Sequence, residues 1–283
     1  KRDDLFVCVH EQFMTETAEL ADIVLPATMF LEHDDMYKGG GHSYLQVTRK
    51  VIEPYDECRS NHDVLCALAK RLGVNHKGFT MTAWQLMDQC LKISGLCSAD
   101  EAYKARWINF SKSTEELNFL SGFPISGGRF RFSPDWRALG LDHKIMPKLP
   151  DHMDNIDSAT VDYPFRLVTA PARRFLNSTF TESKTSVAKE GRPTALINPD
   201  DCLNLGLAES ELVRIGNCRA DVVVHALPFN GLQPGVVVVE GIWPNKAFIE
   251  GLGINALISS DPAPPAGGAV FHDTAVWIRK EQT

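Results

Sequence analysis

Residues 169–180 place two guanidinium groups, Arg173 and Arg174, close to the amide of Asn177 and the hydroxyls of Thr169, Ser178 and Thr179. Arginine meets phosphate with a planar fork of donors, and hydroxyls and backbone amides fill the remaining acceptor sites. The composition suits a pyrophosphate; the plainer alternative is a surface loop whose arginines pair with the excess of carboxylates. A second concentration, Glu32, His33, Asp34 and Asp35, precedes three glycines at 39–41 and His42. Oxygen and imidazole groups in a row invite a metal-site reading. Consecutive loop residues rarely point at one ion, however, and no second His/Asp cluster at a recognisable spacing completes a shell, so no metal ligand is assigned. The triple glycine allows close approach of backbone to ligand and equally makes a hairpin tip. His10, His62, His76, His143, His152, His225 and His272 are scattered, no Ser-His-Asp or paired-acid pattern stands out, and no catalytic residue is assigned.

The elements around these groups are legible in part. Residues 14–26 read as a polar helical turn feeding a buried strand at 23–25, the kind of junction where α/β sheets hold ligands. The chain then enters a polar, glycine-bearing loop suited to presenting amides to an anion. The apolar run 5–9 reads as a strand of a parallel sheet. With 23–25 as its single obvious partner, it predicts part of a larger domain or one piece of a bigger polypeptide. Residues 45–51 alternate as a strand does. Ser60 and Asp63 open a helix whose Val64, Leu65, Leu68 and Leu72 share a face and which Gly73 ends. Further helices start at Thr82, with Gln85 at the capping position, and at Ser98, with Glu101 in the same role.

Residues 123–136 predict a turn followed by a strand with aromatic alternation. Residues 140–164 carry Pro147, Pro150 and Pro164 with Asp142, Asp151, Asp154, Asp157 and Asp162, a linker composition. Beyond them lie short β segments at 165–169, 194–197, 212–215, 220–226, 236–240 and 275–278, which mean a barrel or a sandwich. Asn198, Pro199, Asp200 and Asp201 start one helix among them, and Gly206 closes it.

Bulk properties narrow the function. The 283 residues, 44% hydrophobic, suffice for one or two cores of ~100 to 200 residues each, and two domains is the default. A formal charge of −7 argues against a nucleic-acid partner, which calls for a basic face. Seven cysteines without a C-x-x-C pair read as reduced, mostly buried thiols. No apolar run reaches the ~18 residues of a membrane span, and the first residues are unlike a signal peptide, so the chain reads as soluble.

The block "TETAELADIVLPATMFLEHDD", the later "LVTAPARRFLNSTF" and the closing segments 251–258 and 267–273 follow one another in an order that resembles a known family. These are the molybdopterin-dinucleotide (bis-MGD) oxidoreductases, which include formate dehydrogenases, molybdenum nitrate reductases and the dimethyl sulfoxide and biotin sulfoxide reductases. The family usually has Gly at Asp35, commonly Asn at Gly39, and often Asp-Gly at Ser210-Glu211. The resemblance is strongest over 11–73, 123–136 and 165–279.

It implies a C-terminal region of such an enzyme: residues 1–145 the end of an α/β domain (a Rossmann-like fragment with helices), 146–163 a linker, and 164–283 an all-β six-stranded double-psi barrel that binds the molybdopterin dinucleotide. Periodicity leaves barrel and sandwich open, and the resemblance chooses the barrel. It further implies cofactor contacts by Glu32, His33, Asp34, Gly41, His42, Thr169, Arg173, Arg174, Asn177, Ser178, Thr179, Asn255 and Phe271. Gln46 is a secondary candidate. Asn255 can donate and accept, which suits a pterin edge, or it caps a turn beside Gly253.

The implied cofactor is bis-MGD with molybdenum or tungsten. The metal ligand, and a candidate 4Fe-4S cluster, belong to a missing N-terminal part. The expected partners are that part of the polypeptide and a candidate electron-transfer subunit. The expected location is cytoplasmic, with the periplasm left open because an export signal would lie upstream, and the fragment alone is expected to be inactive. The alternative from another class is a stand-alone double-psi-barrel binding module without redox activity. A mononucleotide or nucleotide-sugar enzyme is disfavoured, since no glycine-rich loop leads into a capped helix.

Overall fold

The structure, a computed structural model, describes residues 2–141, 146–149, 151, 157–263 and 268–282. Asp142, His143, Pro150, His152, Asp154 and Gly267 therefore lie outside the described residues. The chain divides into two compact units, Lys1–Phe130 and Arg131–Thr283, so the described residues 131–141, assigned from sequence to the first domain, fall in the second unit.

In the first unit β1 (Cys8–Glu11) pairs in parallel with β2 (Ile23–Pro26), Cys8 facing Ile23 and Glu11 facing Pro26. The one-turn α1 (Glu16–Glu19) joins them; Thr15 caps it by accepting the Ala18 N–H, and Ala18 is buried. The strand expected at 5–9 starts at Cys8 instead. The Asp22 carboxylate takes the Val7 N–H at 2.7 Å, the Asp22 and Ile23 N–H groups both donate to the Val7 carbonyl, and Leu5 and Phe6 stay exposed.

The region expected to be loop after Asp34 forms β3 (Asp35–Lys38), antiparallel to β4 (Tyr44–Thr48), which pairs in turn with β5 (Ile108–Asn109). The glycines at 39–41 are the tip of that β3–β4 hairpin. Helices α2 (Asn61–Arg71), α3 (Ala83–Ile93) and α4 (Ala99–Ala105) begin at the expected caps, and Thr82 with Gln85 and Ser98 with Glu101 form complete capping boxes. Val47 of β4 packs with Met87 and Leu91 of α3 and Ala99 and Ala102 of α4. On α2 the buried residue is Ala69, while Leu65, Leu68 and Leu72 are exposed.

After α5 (Thr114–Leu117) the strand expected within 123–136 is absent. Gly122, Gly127 and Gly128 all take positive φ and fold the segment into turns. Its aromatic residues pack locally instead, Phe119 stacking on Phe123 at 4.6 Å.

The second unit contains β6 (Phe165–Ala170), α6 (Lys184–Glu190), β7 (Thr194–Ile197), α7 (Pro199–Leu205), β8 (Leu212–Gly216), β9 (Asp221–Pro228), β10 (Val236–Glu240) and β11 (His272–Lys280). The strands close into a six-stranded barrel in the order β10-β6-β11-β8-β9-β7. The β6–β10 and β7–β9 pairs are parallel and the others antiparallel. Parallel neighbours need long crossovers, which is why the loops that later form a site are long. Every strand sends alternate residues inward, and Leu167, Ile197, Val213, Val224, Val237 and Val276 are almost fully buried in one core. The helix α7 has the expected Asn198 cap, Pro199 in its first turn and a left-handed Gly206.

Arg214 on β8 ties the barrel wall to two neighbouring segments, contacting Asp221, Glu250 at 2.6 Å and Glu281 at 2.6 Å. These carboxylates hold the guanidinium well above its ordinary value, and Arg214 in turn lowers the Glu250 carboxyl. A carboxyl depressed in the fold contributes stability that is present above its unfolded value and lost as pH falls through the folded one. Thermal unfolding should therefore show the midpoint falling from about pH 5 downward, and Arg214→Met should flatten that acid limb. An unchanged limb in the variant would remove Glu250 from the account.

Candidate functional site

The barrel cavity is built where β6 ends. The Ala170 carbonyl accepts the Gly241 N–H at 2.8 Å, and Gly241 has φ +80 with room for no side chain, since a Cβ there would lie 2.8 Å from that of Ala172. In the loop leaving β6, Ala172 and Phe175 are buried, the Phe175 ring edge-on to Trp243 at 4.8 Å. The two residues between these anchors, Arg173 and Arg174, are exposed, and neither guanidinium pairs with a described residue. The Arg174 N–H donates to Glu190 at 2.7 Å, fixing the backbone. Leu176 and Thr179 then exchange backbone hydrogen bonds, with Asn177 (φ +51) and Ser178 at the tip.

A second wall comes from the start of β11. Thr169 donates its hydroxyl to the Phe271 carbonyl at 2.8 Å. A register shift then sets His272 opposite Val168 and Thr274 opposite Leu167. The residue between, Asp273, takes φ +66 and is gripped by the Arg166 fork. Bulges of this kind re-aim side chains. The third wall is the 3-10 turn Ile254–Leu257, whose Ile254 and Leu257 are buried while Asn255 is exposed.

The walls bound a cavity of about 710 Å³, within the usual range for small-molecule sites. Thr169, Asn177, Asn255 and Phe271, all singled out in the sequence, line it. Arg173, Arg174, Ser178 and Thr179 are not among its lining residues; they stand exposed on the loop whose Ala172 and Asn177 are. The donor set fits a phosphate-bearing heterocycle. It offers an amide at Asn255 whose side chain bonds to no described residue, a hydroxyl at Ser260, a half-exposed aromatic ring at Phe271, and two guanidiniums on the adjoining loop that pair with no described residue; the Ser259 hydroxyl donates to Asp261 at 2.9 Å.

Sequence reasoning missed His272, Ser259 and Ser260. His272 is brought there by the bulge, which has no sequence signature; the two serines follow the Asn255 turn directly and could have been taken with it.

The first unit holds a cavity of about 570 Å³ at the carboxyl ends of β1 and β2, the edge where open α/β sheets bind ligands. His33 and Asp34 line it, joined by His10, His62 and Arg59, which the sequence did not single out. The position of His10 at the end of a parallel strand was the available signal. His10 and His62 each place Nε2 on a carbonyl, Arg59 at 3.1 Å and Met81 at 2.8 Å. A carbonyl only accepts, so both rings carry a proton at Nε2. Thr28 bonds the His33 Nδ1 at 2.8 Å, and Asp34 takes Arg49 at 3.0 Å and the Lys50 N–H at 2.9 Å.

Glu32 is buried, and its two oxygens accept the Met29 and Tyr55 N–H groups; it clamps the loop rather than lining the cavity. Gly41 sits at the hairpin tip with open space around it. His42 lines a separate aromatic cavity of about 470 Å³ with Tyr37, Tyr44, Gln46 and Trp107. Burial, and then Asp35, push the Tyr37 phenol up. It therefore stays neutral where it borders both cavities.

Comparison with known proteins gives a consistent set of matches. Residues 165–275 match the family model described as "Molydopterin dinucleotide binding domain", and residues 1–71 match that described as "Molybdopterin oxidoreductase". The probable oxidoreductase YoaE of Bacillus subtilis is 33% identical, over 99% of this chain and 40% of its own length. Trimethylamine-N-oxide reductase of Haemophilus influenzae is 27% identical, over 86% of this chain and 33% of its own. The chain thus spans well under half the length of these relatives. Among solved structures, acetylene hydratase from Pelobacter acetylenicus superposes with a TM-score of 0.78, at 20% identity, over 97% of this chain and 40% of that one. At such identity the likeness speaks for the fold alone.

Proposed function

The chain belongs to the molybdopterin-dinucleotide oxidoreductase superfamily, and on that footing we propose that it is the cofactor-holding carboxyl-terminal portion of a longer bis-MGD enzyme with molybdenum or tungsten. Such a cofactor, when bound, supplies a metal held by pterin dithiolenes that exchanges two electrons with substrate. This chain's residues bind and orient it. Asn255 bonds the edge of the heterocycle, Thr169 and Asn177 line its bed, and Phe271 covers apolar ring surface at the mouth. Arg173 and Arg174, with Ser178 and Thr179, meet the pyrophosphate. In the first unit His33, Asp34 and His42 make polar contacts to the cofactor, and Glu32 and Gly41 shape the loops that carry them.

The observation that carries this reading is the meeting of Thr169, Asn177, Asn255 and Phe271 in one cavity, with two guanidiniums on the adjoining loop that pair with no described residue. A longer polypeptide is supported by the length of the relatives. It is also supported by a parallel sheet of two short strands, since parallel sheets are normally covered on both faces, and by the exposed Leu65 and Leu72. On this reading the metal ligand, a 4Fe-4S cluster and the docking site for an electron-transfer subunit belong to the rest of a cytoplasmic enzyme, and the isolated chain has no turnover. The reaction is of sulfoxide-reductase, formate-dehydrogenase or nitrate-reductase type.

The test is the composition of the intact enzyme. Molybdenum or tungsten, pterin and guanine nucleotide should co-purify with the polypeptide, with a pair of guanine nucleotides for each metal atom. A polypeptide that purifies folded without guanine nucleotide would refute the proposal.

A further inference from the structure

The turn that presents Asn255 is pinned at both ends by asparagine side chains used in opposite senses. At its start the Gly253 N–H donates to Asn245 Oδ1 at 2.8 Å. The approach is so close that a Cβ on Gly253 would fall 2.6 Å from that oxygen. At its end the Leu257 carbonyl accepts from Asn217 Nδ2 at 2.8 Å and from an Arg219 Nη at 3.3 Å. Asn217, between β8 and β9, uses its own Oδ1 to accept the Arg219 and Ala220 N–H groups, and Arg219 is braced by Asp157 at 2.7 and 3.1 Å. Between these pins Ile254 and Leu257 are sunk in the barrel core. Both ends of the turn are thus held, and of its residues 254–257 it is Asn255 that lines the cavity.

We propose that Asn217 and Asn245 are positioning residues for cofactor binding. They hold the 3-10 turn in its binding geometry before the cofactor arrives, so that the Asn255 amide meets the heterocycle without an ordering cost. Preorganisation of this kind raises affinity by removing entropy that binding would otherwise lose. The inference rests on the cofactor reading of the barrel cavity given above.

The two pins differ chemically, which makes them separable. Asn217→Asp keeps the oxygen that accepts Arg219 and Ala220 but replaces the donor to Leu257 with an oxygen facing a carbonyl. In the intact enzyme, pterin retained per polypeptide after gel filtration should fall about fivefold to tenfold in Asn217→Asp. Asn255→Ala should itself lower retention. Adding Asn217→Asp to Asn255→Ala should then cost nothing more, because a residue that acts through another is silent once that other is gone.

Additive losses in the double variant would mean that Asn217 supports the barrel generally, and would overturn the inference. So would normal retention in Asn217→Asp alongside a loss in Asn255→Ala, an outcome that leaves the cofactor reading standing. Normal retention in Asn255→Ala would remove the cofactor reading of this turn and the inference with it. If Asn217→Asp does not fold, Asn245→Leu, which deletes the acceptor at the other end, enters the same cycle with the same expectations.

Discussion

Replacing Arg173 and Arg174 together by alanine should strip most of the pterin dinucleotide from the intact enzyme. Both side chains are exposed and pair with no described residue, on a loop anchored by Ala172 and Phe175 on either side of them. A pyrophosphate between two such guanidiniums would accept donors from both forks. Each charge-assisted hydrogen bond contributes about 1.5 to 3 kcal/mol, so losing both should lower retention at least about a hundredfold. Molybdenum and pterin per polypeptide after gel filtration measure this directly. The double lysine variant should fall between, since it keeps the charge and loses the fork. Unchanged metal and pterin in the alanine variant would take both arginines out of the site.

Phe175→Ala should be the most damaging single substitution beneath that loop. The ring is 4% exposed and packs edge-on against Trp243, so truncation removes apolar contact and leaves a cavity, at a cost of about 3 to 5 kcal/mol. For a unit of this size that lowers the unfolding midpoint by roughly 10 °C. The ring also fixes the stretch carrying the arginines, so cofactor retention should drop although Arg173 and Arg174 are intact. Phe175→Leu, which refills part of the space, should recover much of both. Calorimetry showing a midpoint within a degree or two of the parent would mean that Phe175 does not anchor the loop.

The strands of the second unit were legible because they are written in β-branched runs, such as residues 236–239 and 222–224, whose inward positions are buried on folding. Closure into a barrel was not legible, because alternation reports which face is buried and not what covers it; the family resemblance supplied that. Helix starts were readable from local chemistry at Ser60, Thr82, Ser98 and Asn198, where side chain and backbone meet within a few residues.

Elements that depend on distant partners were misread. β3 has little alternation of its own and exists as the hairpin mate of β4. α6, for which no helix was expected, carries no apolar stripe and packs the half-buried Val187 against the core. The aromatic run near Phe130 looked like a strand until three positive-φ glycines turned it. The site divides the same way. Residue types pointed to Thr169, Asn177, Asn255 and Phe271, but their meeting across the barrel, and the bulge that adds His272, arise from strand order alone.

The central claim is that the barrel cavity and its arginine loop hold the cofactor, and hydrogen exchange on the intact enzyme with and without cofactor tests it most directly. Amides in residues 171–180 and 253–260 should become protected on loading, while those of α7, which does not line the cavity, should not. Equal exchange at both segments in the loaded and unloaded enzyme would contradict the claim.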